Sequence, residues 1–368
     1  MKASGHPTVC FLTGTLNAFA GAERMTAVIA NALAERGYRV LILSLWDRAS
    51  VFPLHPDIVH HSVFDIRPSF KRHYLTTVTQ IRRFLRQLDV DVLVEVDTML
   101  TLFTLPATLG LNVRRIAWEH CHFNEDLGKP ARRFARRLAG MSAQAVVVLT
   151  ERDKALWQAG LGRIRASLVA IPNPLPFPLP PPRLPDPGGD SRIVLAVGRL
   201  TSSKGFDVLL RAWASARRSM PGWQLRIVGE GECRHALEAL AAELGITDGS
   251  VIFPGTTDDM PREYEAASLF CLSSRYEGFG LVLIEAMAYG LPVISTNCET
   301  GPKVLLCDQE NSWVVPVEDT TALATALIKL SSPDAQPLRQ NLSAKAHQTA
   351  AAFTLERIRE SWLSLLEL

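Results

Sequence analysis

Short apolar runs alternate with amphipathic stretches along the whole chain. In the first half, 8–13, 39–45, 92–96, 114–118 and 144–149 read as strands, and 22–36, 70–88, 130–139 and 151–159 read as helices. In the second half, the strand candidates are Ile193–Val197, Gln224–Val228, Val251–Phe253, Leu269–Leu272 and Pro292–Thr296. Helical periodicity covers about 205–219, 232–245, 259–267, 281–290 and 319–330, then 337–352. Strands that alternate with helices imply parallel sheets, with ligands held at the carboxyl ends of the strands. The expected fold class is therefore α/β, with two doubly wound Rossmann-like domains facing a cleft.

The boundary between the halves is written in proline. Nine of the 23 prolines fall in residues 172–187, where missing N–H groups and fixed φ exclude helix and inner strand. A stiff, extended connector is expected, released by Gly188-Gly189. The expected division is a first domain over 1–173, a linker over 174–190 and a second domain over 191–352. An amphipathic C-terminal helix, 353–368, is expected to pack back on the first domain.

Composition narrows the class. The 368 residues are 47% hydrophobic and 21% charged, as in a globular enzyme. Six cysteines without a CxxC pair argue against a disulfide framework or structural zinc. No apolar run reaches the roughly 18–20 residues of a membrane span. The start, Met1 to Pro7, leads straight into Val9-Cys10-Phe11-Leu12 with no signal-like stretch, so a cytoplasmic location is expected. The net charge of +2 conceals an imbalance: residues 1–180 carry 22 Lys/Arg against 14 Asp/Glu, and the remainder 17 against 23. Two basic clusters stand out, Arg82, Arg83 and Arg86, and Arg132, Arg133, Arg136 and Arg137. At helical spacing they suit an anionic membrane surface, so a peripheral position on the inner face of the cytoplasmic membrane is expected. Solvated helix faces are the plainer alternative. Nucleic acid is not expected, because stacking platforms and recognition modules are absent.

Candidate chemistry concentrates in Ser273–Thr296. Glu277 precedes Gly278-Phe279-Gly280, a helix opens at Leu281, Glu285 lies in its second turn, and Gly290 closes it. The glycines allow close approach to backbone, and free N–H groups at the helix start favour an anion such as a diphosphate. Glu277 beside that anion must accept hydrogen bonds from neutral hydroxyls, and Glu285 could do the same for a ribose. A nucleotide sugar satisfies all of these demands. Arg199, after a strand end, and Lys204, at a helix start, can converge on the same anion. Gly14 and Gly21 bracket a strand–helix loop. In Trp118-Glu119-His120-Cys121-His122, just after a strand, His120 is a candidate for the site, with His122 the alternative.

The segment EGFGLVLIEAMAYGLPVIST, with Glu277 and Glu285 eight residues apart, resembles the signature of retaining glycosyltransferases of family 4, which have the GT-B fold. Val197-Gly198-Arg199-Leu200 with Lys204-Gly205-Phe206-Asp207 is similar to the family's phosphate loop. Strand ends at Gly229 and Gly255 also match, and Ala20-Gly21-Ala22-Glu23-Arg24 resembles its Gly-Gly-Ala-Glu-Arg loop, with Ala20 replacing a glycine. The resemblance implies a catalytic set of His120, Glu277, Arg199 and Lys204. It implies a donor-binding set of Gly21, Gly229, Gly255, Gly278, Phe279, Gly280, Leu281 and Glu285. No metal or other cofactor is implied, since Arg199 and Lys204 bind the diphosphate, and no Asp-x-Asp arrangement suggests a divalent ion.

The expected activity is transfer of a hexose from a nucleoside diphosphate sugar to a saccharide, with retention. Thr300-Gly301-Pro302 resembles the branch that builds lipopolysaccharide, capsule and exopolysaccharide, which suggests UDP-galactose, UDP-glucose or an N-acetylated relative as donor and a lipid-linked or lipopolysaccharide-type acceptor. A sugar-nucleotide epimerase and a non-catalytic two-domain binder are the competing classes. A dinucleotide oxidoreductase is disfavoured because Thr13–Ala18 contains no GxGxxG turn.

Overall fold

The computed structural model describes residues 6–182 and 191–367; the Gly188-Gly189 release and the first five residues lie outside them. The chain divides into two compact units, Met1–Pro176 with Leu355–Leu368, and Phe177–Thr354.

In unit 1 the elements run β1 (Val9–Thr13), α1 (Gly21–Ala34), β2 (Val40–Trp46), β3 (Val59–Phe64), α2 (Tyr74–Gln87), β4 (Val92–Val96), α3 (Thr101–Thr108), β5 (Arg114–Trp118), α4 (Pro130–Ser142), β6 (Ala145–Val148), α5 (Glu151–Leu161) and β7 (Ser167–Ala170). The sheet order is β3-β2-β1-β4-β5-β6-β7, all parallel. The winding reverses between β1 and β4. Both strands are buried throughout, as mostly apolar strands covered on two faces should be.

Unit 2 contains β8 (Ile193–Val197), α6 (Phe206–Ala216), β9 (Gln224–Val228), α7 (Arg234–Glu243), β10 (Val251–Gly255), α8 (Met260–Ala266), β11 (Leu269–Leu272), α9 (Leu281–Ala288), β12 (Val293–Thr296), α10 (Gly301–Leu305), β13 (Trp313–Val315), α11 (Thr320–Ser331) and α12 (Gln336–Ala350). Its order, β10-β9-β8-β11-β12-β13, is again parallel and reverses between β8 and β11. The last helix, α13 (Leu355–Glu367), belongs to unit 1. It buries Ile358, Trp362, Leu365 and Leu366, and the Trp362 ring meets Trp118 edge-on at 4.7 Å.

Three strands escape the hydrophobic pattern: β3, β7 and β13. All are sheet edges, and β3 and β7 contain no buried residue. An edge strand needs fewer apolar side chains, so Val59-His60-His61-Ser62 reads as loop. The helix α3 is also unexpected, its sequence interrupted by Pro106. The described part of the proline-rich stretch, 172–182, is held against its surroundings. Leu175 is fully buried, Phe177 packs on Tyr289 at 5.4 Å, and His347 Nε2 pairs with the Pro180 carbonyl at 2.9 Å.

Candidate active site

In unit 2 the loops after β8 and β11 meet where the winding reverses, the place where open α/β sheets hold ligands. Lys204 arrives from the first loop and Glu277 from the second. Lys204 Nζ donates to Glu277 Oε1 at 2.7 Å, and Ser274 Oγ donates to the same oxygen at 2.7 Å. Glu277 Oε2 makes no hydrogen bond among the described residues. The Lys204 side chain is 22% exposed and that of Glu277 9%, so the pair is largely buried. The stem of Lys204 crosses Gly198, where an added Cβ would lie 3.5 Å from its methylenes.

Backbone contacts that tolerate no side chain hold these loops. A Cβ on Gly205, at φ +61, would stand 2.1 Å from the Ser273 carbonyl oxygen. One on Gly301 would stand 2.0 Å from that of Phe279. Thr300 Oγ1 donates to the Glu277 carbonyl. The Thr-Gly-Pro segment therefore braces the turn that carries Glu277. Arg275 clasps the loops from outside, donating to both oxygens of Asp207 at 2.8 and 2.9 Å and pairing with Glu318. Gly280, at φ +87, opens α9, and no side chain caps that helix.

Glu285 lies inside, 1% exposed, with Oε2 accepting from Tyr264 at 2.9 Å. A solvated role for it is excluded. Phe279, in the expected donor-binding set, turns its side chain away from solvent. Its side chain is buried against Phe353 at 5.6 Å, so this position can offer a donor only its backbone. Gly229, at φ +142, lets the β9 end close on the Gly198 carbonyl, 2.0 Å from an added Cβ, and its N–H donates to Gly255 at 2.8 Å. Arg199 stands apart from the Lys204 pair in its contacts: its side chain is 71% exposed and its partner is Glu232 at 3.5 Å.

In unit 1, His120 follows β5. Its ring packs on Trp118 at 4.4 Å, and its Nε2 is shut from solvent with no hydrogen-bond partner. Burial pushes its pKa down to about 4 against the opposing charge of Glu119, so the imidazole is neutral at pH 7. Glu119 is the centre of a buried ionic network. It accepts from Thr98 at 2.5 Å, Cys121 N–H at 3.1 Å, Arg132 at 3.2 Å and Arg136 at 3.0 Å. Burial opposes its charge, but the two guanidiniums outweigh that and hold its carboxyl below the ordinary range. Arg132 also grips Asp97 through two bonds of 2.9 and 2.8 Å. Asp97 has φ +124, a strained value for a residue with a side chain. Gly21 is simply the exposed first residue of α1, preceded by Ala20 in extended conformation.

The two units correspond to two known sequence families. Residues 19–177 match the family model described as Glycosyltransferase Family 4, and 185–349 match Glycosyl transferases group 1. An uncharacterized glycosyltransferase of Haemophilus influenzae is 33% identical over 97% of this chain and 99% of its own length. The chain belongs to glycosyltransferase family 4. Among other relatives, an α-1,4-N-acetyl-D-galactosaminyltransferase of Campylobacter jejuni, named for a diNAcBac-PP-undecaprenol-linked substrate, is 28% identical over 97% of this chain and 98% of its own. The crystal structure of Alr3699/HepE from Anabaena, in complex with UDP and glucose, superposes with a TM-score of 0.82 at 19% identity. It covers 98% of this chain and 100% of that one, which establishes the GT-B fold.

For this glycosyltransferase, the basic clusters need correction. Arg132 and Arg136 are 4% and 1% exposed and face inward onto carboxylates, so they present no charge to a membrane. Arg82 donates to the Ala107 and Leu109 carbonyls and closes the end of α3. Only Arg133 and Arg137 of the α4 cluster face outward, with Phe134 exposed between them. No helix among the described residues is long and apolar enough to cross a membrane. Sequence reasoning missed Ser274, Tyr264, Arg275, Asp97 and the inward arginines. The clue was there in Val92-Leu93-Val94-Glu95-Val96: a carboxylate inside an apolar strand demands buried donors, and Glu95 finds Thr101, Thr104 and Arg115.

Proposed function

We propose that this family 4 transferase moves a hexose from a nucleoside diphosphate sugar to a saccharide hydroxyl, with retention at the anomeric carbon, in bacterial lipopolysaccharide, capsule or exopolysaccharide assembly. The donor is UDP-galactose, UDP-glucose or an N-acetylated relative, and the acceptor is lipid-linked or of lipopolysaccharide type. Unit 2 takes the donor and unit 1 the acceptor. The observation that carries the reading is the Lys204–Glu277 pair, set at the unit 2 switch point beside the uncapped start of α9. The UDP in the Anabaena complex and the undecaprenol-linked substrate in the Campylobacter name support the donor and acceptor classes.

Each group has one task. Lys204 and the α9 N–H groups stabilise charge as it develops on the departing diphosphate, the dominant contribution to such a reaction. Arg199, exposed on its loop, adds a second cation, so the chain itself supplies the charge that a divalent ion would otherwise bring. Glu277 keeps Oε2 for a sugar hydroxyl, while Lys204 offsets its charge beside the phosphates. Glu285 holds the ribose. His120, neutral, hydrogen-bonds to the transferring sugar rather than taking a proton. The acceptor hydroxyl attacks the anomeric carbon, the bond to the diphosphate oxygen breaks, and that oxygen takes the acceptor proton on the same face. The outward half of α4, with the exposed Arg83 and Arg86 of α2, is the surface left for anionic lipid.

The test is turnover of UDP-hexoses in EDTA, with and without a lipopolysaccharide-core or undecaprenol-linked acceptor, followed by NMR of the product. UDP release that requires acceptor, and an α-linkage from an α-donor, are expected. Conversion of the sugar without acceptor would assign an epimerase instead. Absence of turnover and of nucleotide binding would favour a non-catalytic binder.

A further inference from the structure

The ends of β4 and β5 gather charge with α4, buried at Glu119, Arg132 and Arg136 and partly exposed at Asp97. Breaking even for a buried ion pair requires near-perfect hydrogen bonding, and packed apolar side chains often do as well. Here Asp97, Glu119, Arg132 and Arg136 are gathered under one loop, with a strained backbone at Asp97. Arg136 spends its donors on that loop. Beyond Glu119, its Nη1 donates to the Phe123 carbonyl at 2.5 Å, and its Nη2 donates to the carbonyls of His122 at 3.2 Å and Glu125 at 2.8 Å. From the other side, Phe123 N–H donates to Asp153 at 2.7 Å, and the Phe123 ring sits where a side chain on Gly160 would be. Within this lattice the His120 ring nitrogen Nε2 takes no hydrogen bond, while its neighbours Glu119 and Cys121 are both tied into it.

We propose that Arg136, with Glu119, is a positioning residue: it fixes the backbone from Glu119 to Glu125 so that the His120 imidazole is presented in a single orientation. This rests on the role given to His120 above. The arginine acts through the loop carbonyls and makes no contact with substrate. Lysine keeps the charge but cannot serve three carbonyls and a carboxylate from one planar group.

Two readouts test the idea, one independent of turnover. NMR titration of the His120 ring should find it near 4 in the wild type and shifted toward the ordinary histidine value in Arg136→Lys, as water reaches a loosened loop. Thr98→Val, which removes one bond to Glu119 while preserving shape, should shift it in the same direction by less. In kinetics, Arg136→Lys should lower kcat about tenfold with donor KM unchanged, and Arg136→Lys/His120→Ala should be no slower than His120→Ala. An unmoved His120 titration in a folded Arg136→Lys or Thr98→Val protein overturns the proposal, as do losses that multiply in the double variant. Failure of the wild type to bind UDP would instead strike the donor reading, and the His120 titration still decides the positioning role.

Discussion

At the unit 1 switch point, charge is mostly buried and densely paired: Glu119 accepts four hydrogen bonds, and Arg136 donates from all three of its nitrogens. At the unit 2 switch point, charge is sparse and half-satisfied. Lys204 has one carboxylate oxygen, Glu277 has a free Oε2, and Arg199 stands in solvent with one long contact. The same winding order therefore supports opposite furnishings. The first is built to hold a loop still. The second, lined by glycines whose backbones touch, is built to leave polar atoms for a ligand. A diphosphate can be received only where cations are not already consumed, and this separates the two regions more sharply than topology does.

The contrast can be broken from either side. The largest effect should come from Arg132→Met, which leaves Asp97 without its ion-pair partner and takes from Glu119 one of its two guanidiniums. A loss of about 3–5 kcal/mol in denaturant unfolding is expected, and a loss under 1 kcal/mol would show that the network is not structural. Lys204→Ala should do the reverse, leaving the fold largely intact and lowering kcat/KM by about 10²–10³-fold, as removal of a preorganised charge from a leaving group does. Steady-state kinetics alongside melting curves would expose the error if stability fell and activity did not.

A subtler effect concerns pH. Burial raises the Asp153 pKa from 3.8 to about 7, against the pull of the Phe123 N–H. Between those values the folded protein holds a proton that the unfolded chain has released, so stability falls as pH rises toward 7 and stays reduced above it. Asp153→Asn keeps the acceptor oxygen and should raise the melting temperature at pH 8 while leaving it nearly unchanged below pH 4. An identical pH profile in the variant would remove Asp153 as the cause. The smallest effect should be Tyr264→Phe, which removes one hydrogen bond to Glu285 Oε2. Donor KM should rise several-fold, on the order of 1 kcal/mol, with kcat held. A fall in kcat at constant KM would contradict a ribose role for Glu285.

Much of the fold was legible because inner parallel strands advertise themselves as apolar runs, and β8, β9 and β11 fall on their expected residues. The edge strands β3, β7 and β13 did not, since most of their residues are only partly buried. The unit 2 candidate site was legible in part: local spacing placed Lys204 and Glu277 beside their helix starts, but their direct contact spans 73 residues and needs the fold. The α4 arginines show the limit most clearly. At i, i+4 spacing Arg132 and Arg136 define one face of a helix, yet nothing local says whether that face looks at water or at Asp97 and Glu119, which come from other strand ends.

Unit 2 is proposed to bind a nucleoside diphosphate through Lys204 without a metal ion. Calorimetric titration of UDP into the protein in excess EDTA, for wild type and Lys204→Ala, tests it directly. Saturable binding by the wild type, weakened at least tenfold in the folded variant, is the expected result. Equal affinity in both, or wild-type binding that appears only when a divalent cation is restored, would contradict it.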